Sequence, residues 1–187
     1  MVSDRVIPPF LLANPLRRLI EPRGRVISRI RPFIKKGMKV LDLGSGPGYY
    51  TEELSNLIGL DGLVVAIDPS ESAINMVKRL GRKNVIAITG SAYSIPFEDG
   101  YFDFLFANLM LCCVSDYKRA LKEMIRVLRG GSFAYLSVTK RFIDRDPGIG
   151  QKEWQNVLGN FEVIRSGASL TQRWAVVRKN TEVKPAL

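Results

Sequence analysis

Val40-Leu41-Asp42-Leu43-Gly44-Ser45-Gly46-Pro47-Gly48 runs an apolar strand into an acidic residue and then three alternating glycines. Glycines at 44, 46 and 48 let the backbone turn tightly and approach a ligand where any Cβ would clash. The next segment, Tyr50-Thr51-Glu52-Glu53-Leu54, reads as the start of a helix. Strand, glycine turn and helix in that order form the first half of a βαβ unit, whose ligand sits outside the carboxyl ends of the strands.

Spacing separates two ligand classes. A dinucleotide fingerprint, G-x-G-x-x-G/A, requires Gly or Ala at position 49, and the chain has Tyr49 there with an extra glycine at 48. A G-x-G-x-G turn with an acid two residues before its first glycine is similar to motif I of the class I S-adenosylmethionine-dependent methyltransferases. A second strand, read at 63–67, ends in Asp68, twenty residues past Gly48. An acid there lies beside the first strand and can accept ribose hydroxyl protons.

Two further segments carry the resemblance. Gly90-Ser91-Ala92-Tyr93-Ser94-Ile95-Pro96-Phe97-Glu98-Asp99-Gly100-Tyr101-Phe102-Asp103 is similar to the family's G-D-A-x-x-L-P-F-x-D-x-x-F-D, with Ser91 in place of an Asp that accepts from the adenine amino group. A hydroxyl still accepts that bond, without the charge-assisted strength of a carboxylate. Leu121-Lys122-Glu123-Met124-Ile125-Arg126-Val127-Leu128-Arg129-Gly130-Gly131 resembles the helix and glycine turn before strand five, with Arg129-Gly130 replacing the usual Pro-Gly. The resemblance spans residues 40–138 and leans toward the small-molecule branch that includes quinone-biosynthesis methyltransferases.

The resemblance implies S-adenosyl-L-methionine as cofactor. It implies contacts from Asp42, Gly44, Ser45, Gly46, Gly48 and Tyr49 at the first turn, Asp68 and Pro69 at the second, Ser91 and Ala92 at the third, and Asn108 after strand four. Asp42 would orient the turn or the methionyl ammonium. The sulfonium already activates the methyl group, so the protein must mainly hold a nucleophile in line with the S–CH₃ bond and no obligatory catalytic residue follows. An oxygen acceptor would need a base. Tyr49, Tyr50 and Tyr93 are candidates by position, although an aromatic here more often forms a wall. Asn108-Leu109-Met110-Leu111 is unlike the Asn-Pro-Pro-Tyr segment of amine methylation in DNA.

Composition sets outer limits. A chain of 187 residues is expected to form one domain, with a helical lid segment at 1–38, an α/β core at 39–180 and a tail at 181–187. No apolar run approaches the roughly 18 residues of a membrane helix and no secretory pattern opens the chain, so a cytoplasmic protein is expected. The chain has no histidine, which excludes His-based triads and zinc sites built on His; no metal site is expected. Cys112 and Cys113 are adjacent, poor geometry for a structural disulfide, and read as small buried hydrophobes at the end of strand four.

The net charge of +10 is uneven: residues 1–39 carry +8, residues 40–138 carry −2 and residues 139–187 carry +4. Basic flanks suit an anionic substrate or nucleic acid, or simply a solvated face. The favoured partner is a small-molecule methyl acceptor, with RNA or protein as the alternative. A nicotinamide-dependent (NAD(P)) oxidoreductase and a cofactor-binding module without turnover complete the range of readings.

Prolines at 8, 9, 15, 22 and 32 break the first forty residues into short helices, read at 14–20 and 23–31. Val26, Ile27 and Ile30 recur at helical spacing and would face the core, with Arg25 and Arg29 toward solvent. Residues 10–18 would form a lid, with Arg17 or Arg18 near an acidic acceptor. Strands are read at 39–43, 63–67, 85–89, 102–107 and 132–138, and helices at 50–58, 70–80 and 116–129, with Asp116 as N-cap. A helix at 149–158 and strands at 161–165 and 172–178 follow. The short stretch 139–150 after strand five suggests an open acceptor site. The expected architecture is a Rossmann-like, doubly wound, mostly parallel seven-stranded sheet with a C-terminal antiparallel hairpin and helices on both faces.

Overall fold

The computed structural model describes residues 23–140 and 148–181. The helix expected at 14–20, the lid at 10–18, residues 141–147 of the acceptor-side segment and residues 182–187 of the tail lie outside the described residues.

Strand β1 (Lys39–Leu43) is the axis of the sheet. It is flanked in parallel by β2 (Leu63–Asp68) on one side and β4 (Phe102–Asn108) on the other. β3 (Val85–Thr89) pairs with β2, and β5 (Leu128–Thr139) pairs with β4, both parallel. β7 (Gln172–Arg178) pairs antiparallel to β5 and to the edge strand β6 (Glu162–Ala168), giving the order β3-β2-β1-β4-β5-β7-β6. The order reverses between β1 and β4, and such a switch point opens a crevice at the carboxyl ends of the strands.

Period-two alternation splits the core across the sheet. Val40, Val64, Phe104 and Tyr135 pack on one face with α1 (Arg23–Ile30) and α2 (Thr51–Ile58). Leu41, Leu43, Val65 and Leu105 pack on the other with α4 (Tyr117–Val127) and α5 (Gln151–Leu158). Helix α3 (Glu71–Arg79) crosses from β2 to β3 and buries Ala73, Ile74 and Val77. The expected N-cap is present: Asp116 Oδ1 accepts from the Arg119 N–H at 3.0 Å.

Two expectations change. β5 begins at Leu128, not 132, because α4 ends directly in extended backbone and Gly131 takes φ +77°. Its start is anchored by Lys179, whose Nζ donates to the carbonyls of Ile125 and Leu128 at 2.6 Å each. Arg29 does not point to solvent: Nη1 donates to Tyr135 Oη at 3.2 Å and the guanidinium lies 4.2 Å from the Trp174 ring. Arg25 is exposed as expected. No described helix is long and apolar enough to cross a membrane.

Candidate active site

The ends of β1 and β2 are tied together through backbone and one carboxylate. Gly44 N and Ser45 N both donate to Ile67 O, at 2.8 and 3.2 Å. Asp68 then takes a bond on each oxygen, from Gly46 N to Oδ2 and from Ser70 N to Oδ1, both 2.9 Å. A carboxylate has about four lone-pair sites, so Asp68 keeps acceptor capacity on both oxygens toward the cavity it lines. Gly44 sits at φ +74°, and a Cβ there would lie 2.6 Å from Met110 Cγ, so only glycine lets the turn close against the loop after β4.

Asp42 is 2% exposed, flanked by Ala66 and Phe106 on the neighbouring strands. Thr51 Oγ1 donates to its Oδ2 at 2.6 Å. Burial pushes the carboxyl up to about 7, against the Thr51 bond, which lowers it; the negative charge of Asp68 adds a smaller upward push.

These turns enclose a cavity of about 260 Å³. Asp42, Gly44, Ser45, Gly46 and Tyr49 line its β1 side, Asp68 and Pro69 its β2 side, Ser91 and Ala92 the loop after β3, and Asn108 the end of β4. Gly48, expected at the ligand, is not among the lining residues. It packs against α3, where a Cβ would meet Leu80 Cδ1 at 3.1 Å and Val77 Cγ2 at 3.2 Å. Ser91 Oγ accepts from Tyr93 N at 3.2 Å, and Asn108 Oδ1 accepts from Ser137 Oγ at 2.6 Å.

Of the aromatic base candidates, Tyr49 and Tyr50 are buried cavity walls. Their rings meet edge-on at 4.9 Å, and the Arg23 guanidinium lies 3.8 Å from the Tyr49 ring centroid. Tyr93 is not among the lining residues; its hydroxyl is 3.0 Å from Ser115 Oγ. The loop bearing Ser91 and Ala92 is held from behind by Arg126, which donates to Ile95 O at 2.9 Å, Phe97 O at 2.8 Å and Asp99 Oδ1 at 2.9 Å. It also pairs with Glu123 at 2.7 Å.

The cysteines correct an expectation. β4 ends at Asn108, so Cys112 and Cys113 fall in the following turn, half-buried on the cavity wall and not in the core. Both sulfurs donate to Leu109 O, at 3.2 and 3.3 Å. The Cys113 thiol and, more weakly, Thr139 hold the Cys112 thiol down to about 6, against the upward push of burial. Thr51, Met110, Cys112 and Thr139 were not legible as site residues. Only Thr51, in the first turn of the helix after the glycines, carried a positional hint.

Seven strands in this order, with the glycine turn at the switch point and an acid ending the second strand, define a class I methyltransferase fold. The chain belongs to the methyltransferase domain family, whose model matches residues 41–136. It is 42% identical over 100 residues to demethylmenaquinone methyltransferase of Staphylococcus aureus (strain MRSA252). That match covers 52% of this chain and 42% of the relative, so the matched stretch spans under half of the curated relative's length. A solved SAM-dependent methyltransferase from Aquifex aeolicus superposes with TM-score 0.78 at 26% identity, over 92% of this chain and 99% of that one. The [4+2]-cyclase SpnF superposes at TM-score 0.73 over 84% of this chain and 81% of that one. At 14% identity this shows the fold alone.

Proposed function

We propose that the protein is an S-adenosyl-L-methionine-dependent methyltransferase acting on a small, apolar acceptor of the quinol type. The observation that carries the cofactor reading is the charge of the cavity: its described lining residues include two aspartates, Asp42 and Asp68, and no lysine or arginine. A pyrophosphate would face the Asp68 carboxylate, and that of Asp42 once it ionises near pH 7, whereas a nucleoside carrying a sulfonium and an ammonium meets complementary charge and favours that ionisation. The residues fit such a group. Asp68 retains acceptor sites for two ribose hydroxyls, Pro69 and Ala92 offer an apolar slot for adenine beside Ser91, and Asp42 lies nearest in charge to the amino acid end. When bound, the cofactor supplies an activated methyl group.

The chain's own part is positional. Gly44, Ser45 and Gly46 present backbone at contact distance, Tyr49 and Tyr50 wall off water, and Asn108 with the turn after it faces the acceptor side. The quinol reading is supported by the name of the S. aureus relative and by the apolar wall of Leu109, Met110 and Val114. On this reading the chain acts as a single cytoplasmic domain.

Thermal unfolding with S-adenosylhomocysteine, and separately with nicotinamide dinucleotides, tests the cofactor, because a native-state ligand raises the midpoint by mass action. A shift with S-adenosylhomocysteine alone is expected; a shift only with a dinucleotide would overturn the proposal. Transfer of radiolabelled methyl to a reduced demethylated naphthoquinone tests the acceptor.

A further inference from the structure

The turn after β4 holds two thiols in an arrangement that the methyl-transfer reading does not use. Leu109 has φ +58°, the only positive φ at a non-glycine among the described residues. Its N–H donates to Ser137 O at 3.1 Å, which ties the turn to β5. Cys113 N donates to Met110 O at 2.8 Å, closing the turn. The consequence is that Cys112 Sγ and Cys113 Sγ converge on one oxygen atom, each within 3.3 Å of it. Thr139 Oγ1, at the end of β5, lies 3.8 Å from Cys112 Sγ. Both cysteines line the cavity and neither is in a disulfide.

The donor set restricts what such a pair can take. Tetrahedral zinc wants four nitrogen or sulfur ligands, the chain has no histidine, and no group of three His, Cys, Asp or Glu suited to a metal exists among the described residues. Two adjacent soft sulfurs with a hydroxyl alongside instead match a three-coordinate thiophilic centre, which needs only two thiolates and keeps its third substituent. A turn already fixed by backbone bonds loses little freedom on chelation.

We propose that Cys112 and Cys113 form a dithiol capture site for trivalent arsenic on the acceptor-side wall of the cavity. With an organic arsenic oxide, two As–S bonds form and two S–H bonds break. The oxide oxygen leaves with both protons as water, and no atom changes oxidation state. The site lies two strands from Asp68, roughly 10 Å across the sheet at ordinary strand spacing, so it occupies the β4–β5 side of the cavity. It stands independently of which cofactor the other side takes.

Phenylarsine oxide on the full chain is the probe, read by intact mass and by thermal unfolding, with arsenous acid run alongside to separate free from organic arsenic. The wild type is expected to gain one phenylarsenic unit per chain. That adduct resists excess glutathione at least tenfold better than any adduct of Cys112→Ser or Cys113→Ser, because the second sulfur binds intramolecularly. An adduct stripped by glutathione as readily from the wild type as from either variant would overturn the proposal. The wild type alone gives a second reading: a raised unfolding midpoint marks capture by the native turn, whereas an unchanged or lowered one means the reagent prefers the unfolded chain and sinks the site.

Discussion

Thr51 Oγ1 donates to Asp42 Oδ2 at 2.6 Å, a hydrogen bond to a carboxylate that is otherwise sealed between β2 and β4. This single bond opposes a burial that lifts the carboxyl to about 7. In the folded chain Asp42 therefore keeps its proton over a range where the unfolded chain, titrating near 3.9, has lost it. The native state binds more protons there, so stability falls as pH rises from about 4 to about 7. Asp42→Asn is expected to flatten that decline, by a contribution on the order of 3 kcal/mol. Urea unfolding of both proteins at pH 5 and pH 8 measures it. Equal pH dependence in the two would refute this account.

The same carboxyl links protonation to ligand charge. A cationic ligand near Asp42 favours the ionised form, so its binding releases a proton and its affinity rises with pH up to about 7. Calorimetry in two buffers of different ionisation enthalpy reads the proton release directly. Asp42→Asn is expected to abolish the release.

Asp68 joins two turns and lines the cavity, so its removal has two separable effects. Asp68→Ala leaves Gly46 N and Ser70 N without their carboxylate and is expected to cost about 2 kcal/mol of stability. On the proposed function it also weakens S-adenosylhomocysteine by roughly a hundredfold, the worth of two hydrogen bonds to a charged group. Melting curves with and without the ligand separate the two.

Gly44 and Met110 are coupled by space. Gly44→Ala drives a Cβ to 2.6 Å from Met110 Cγ at φ +74°, combining overlap with backbone strain, and is expected to destabilise by about 3 kcal/mol. Adding Met110→Ala removes the overlap and not the strain. The double mutant should therefore lose less than the sum of the single losses, by about 1 kcal/mol or more. Strict additivity would show that the contact is not the cause.

Arg126 bonds unequally to its partners. Asp99 is 81% exposed at its side chain, so Asp99→Ala is expected to cost under about 1 kcal/mol. Arg126→Ala strips the Ile95 and Phe97 carbonyls and Glu123 together, and is expected to cost about 2 kcal/mol and loosen the loop carrying Ser91 and Ala92. Hydrogen exchange across residues 91–99 reports the loosening.

What the sequence revealed follows physical range. Strands at 39–43, 85–89 and 172–178 match the structure residue for residue, because short runs rich in Val, Ile and Leu or aromatic side chains between turn residues mark a strand whether it lies at the centre of the sheet, as β1 does, or at its edge, as β3 does. Motif spacing placed Asp42, Asp68 and Ser91 around one cavity, since the first βα turns are local devices. The thiol turn escaped, because its geometry depends on Leu109 adopting a left-handed conformation that leucine does not advertise. Arg29 escaped too: helical periodicity assigned it to solvent, while its partners Tyr135 and Trp174 come from distant strands. Gly48, expected at the ligand, lies outside the cavity lining and makes room for α3, a role glycine spacing alone does not encode.

Tyr49, Tyr50, Phe106, Tyr135 and Trp174 follow one another ring to ring, at 4.9, 5.1, 5.2 and 6.4 Å, from the cavity wall to β7. Trp174 is one of two indoles in the chain and the lowest-energy chromophore at the far end of that row. Light absorbed by the tyrosines at the pocket is thus collected by an emitter seated three strands from β1 in the sheet. A ligand that disturbs Tyr49 or Tyr50 is therefore expected to change the yield of tyrosine-excited indole emission, although Trp174 lies outside the cavity lining.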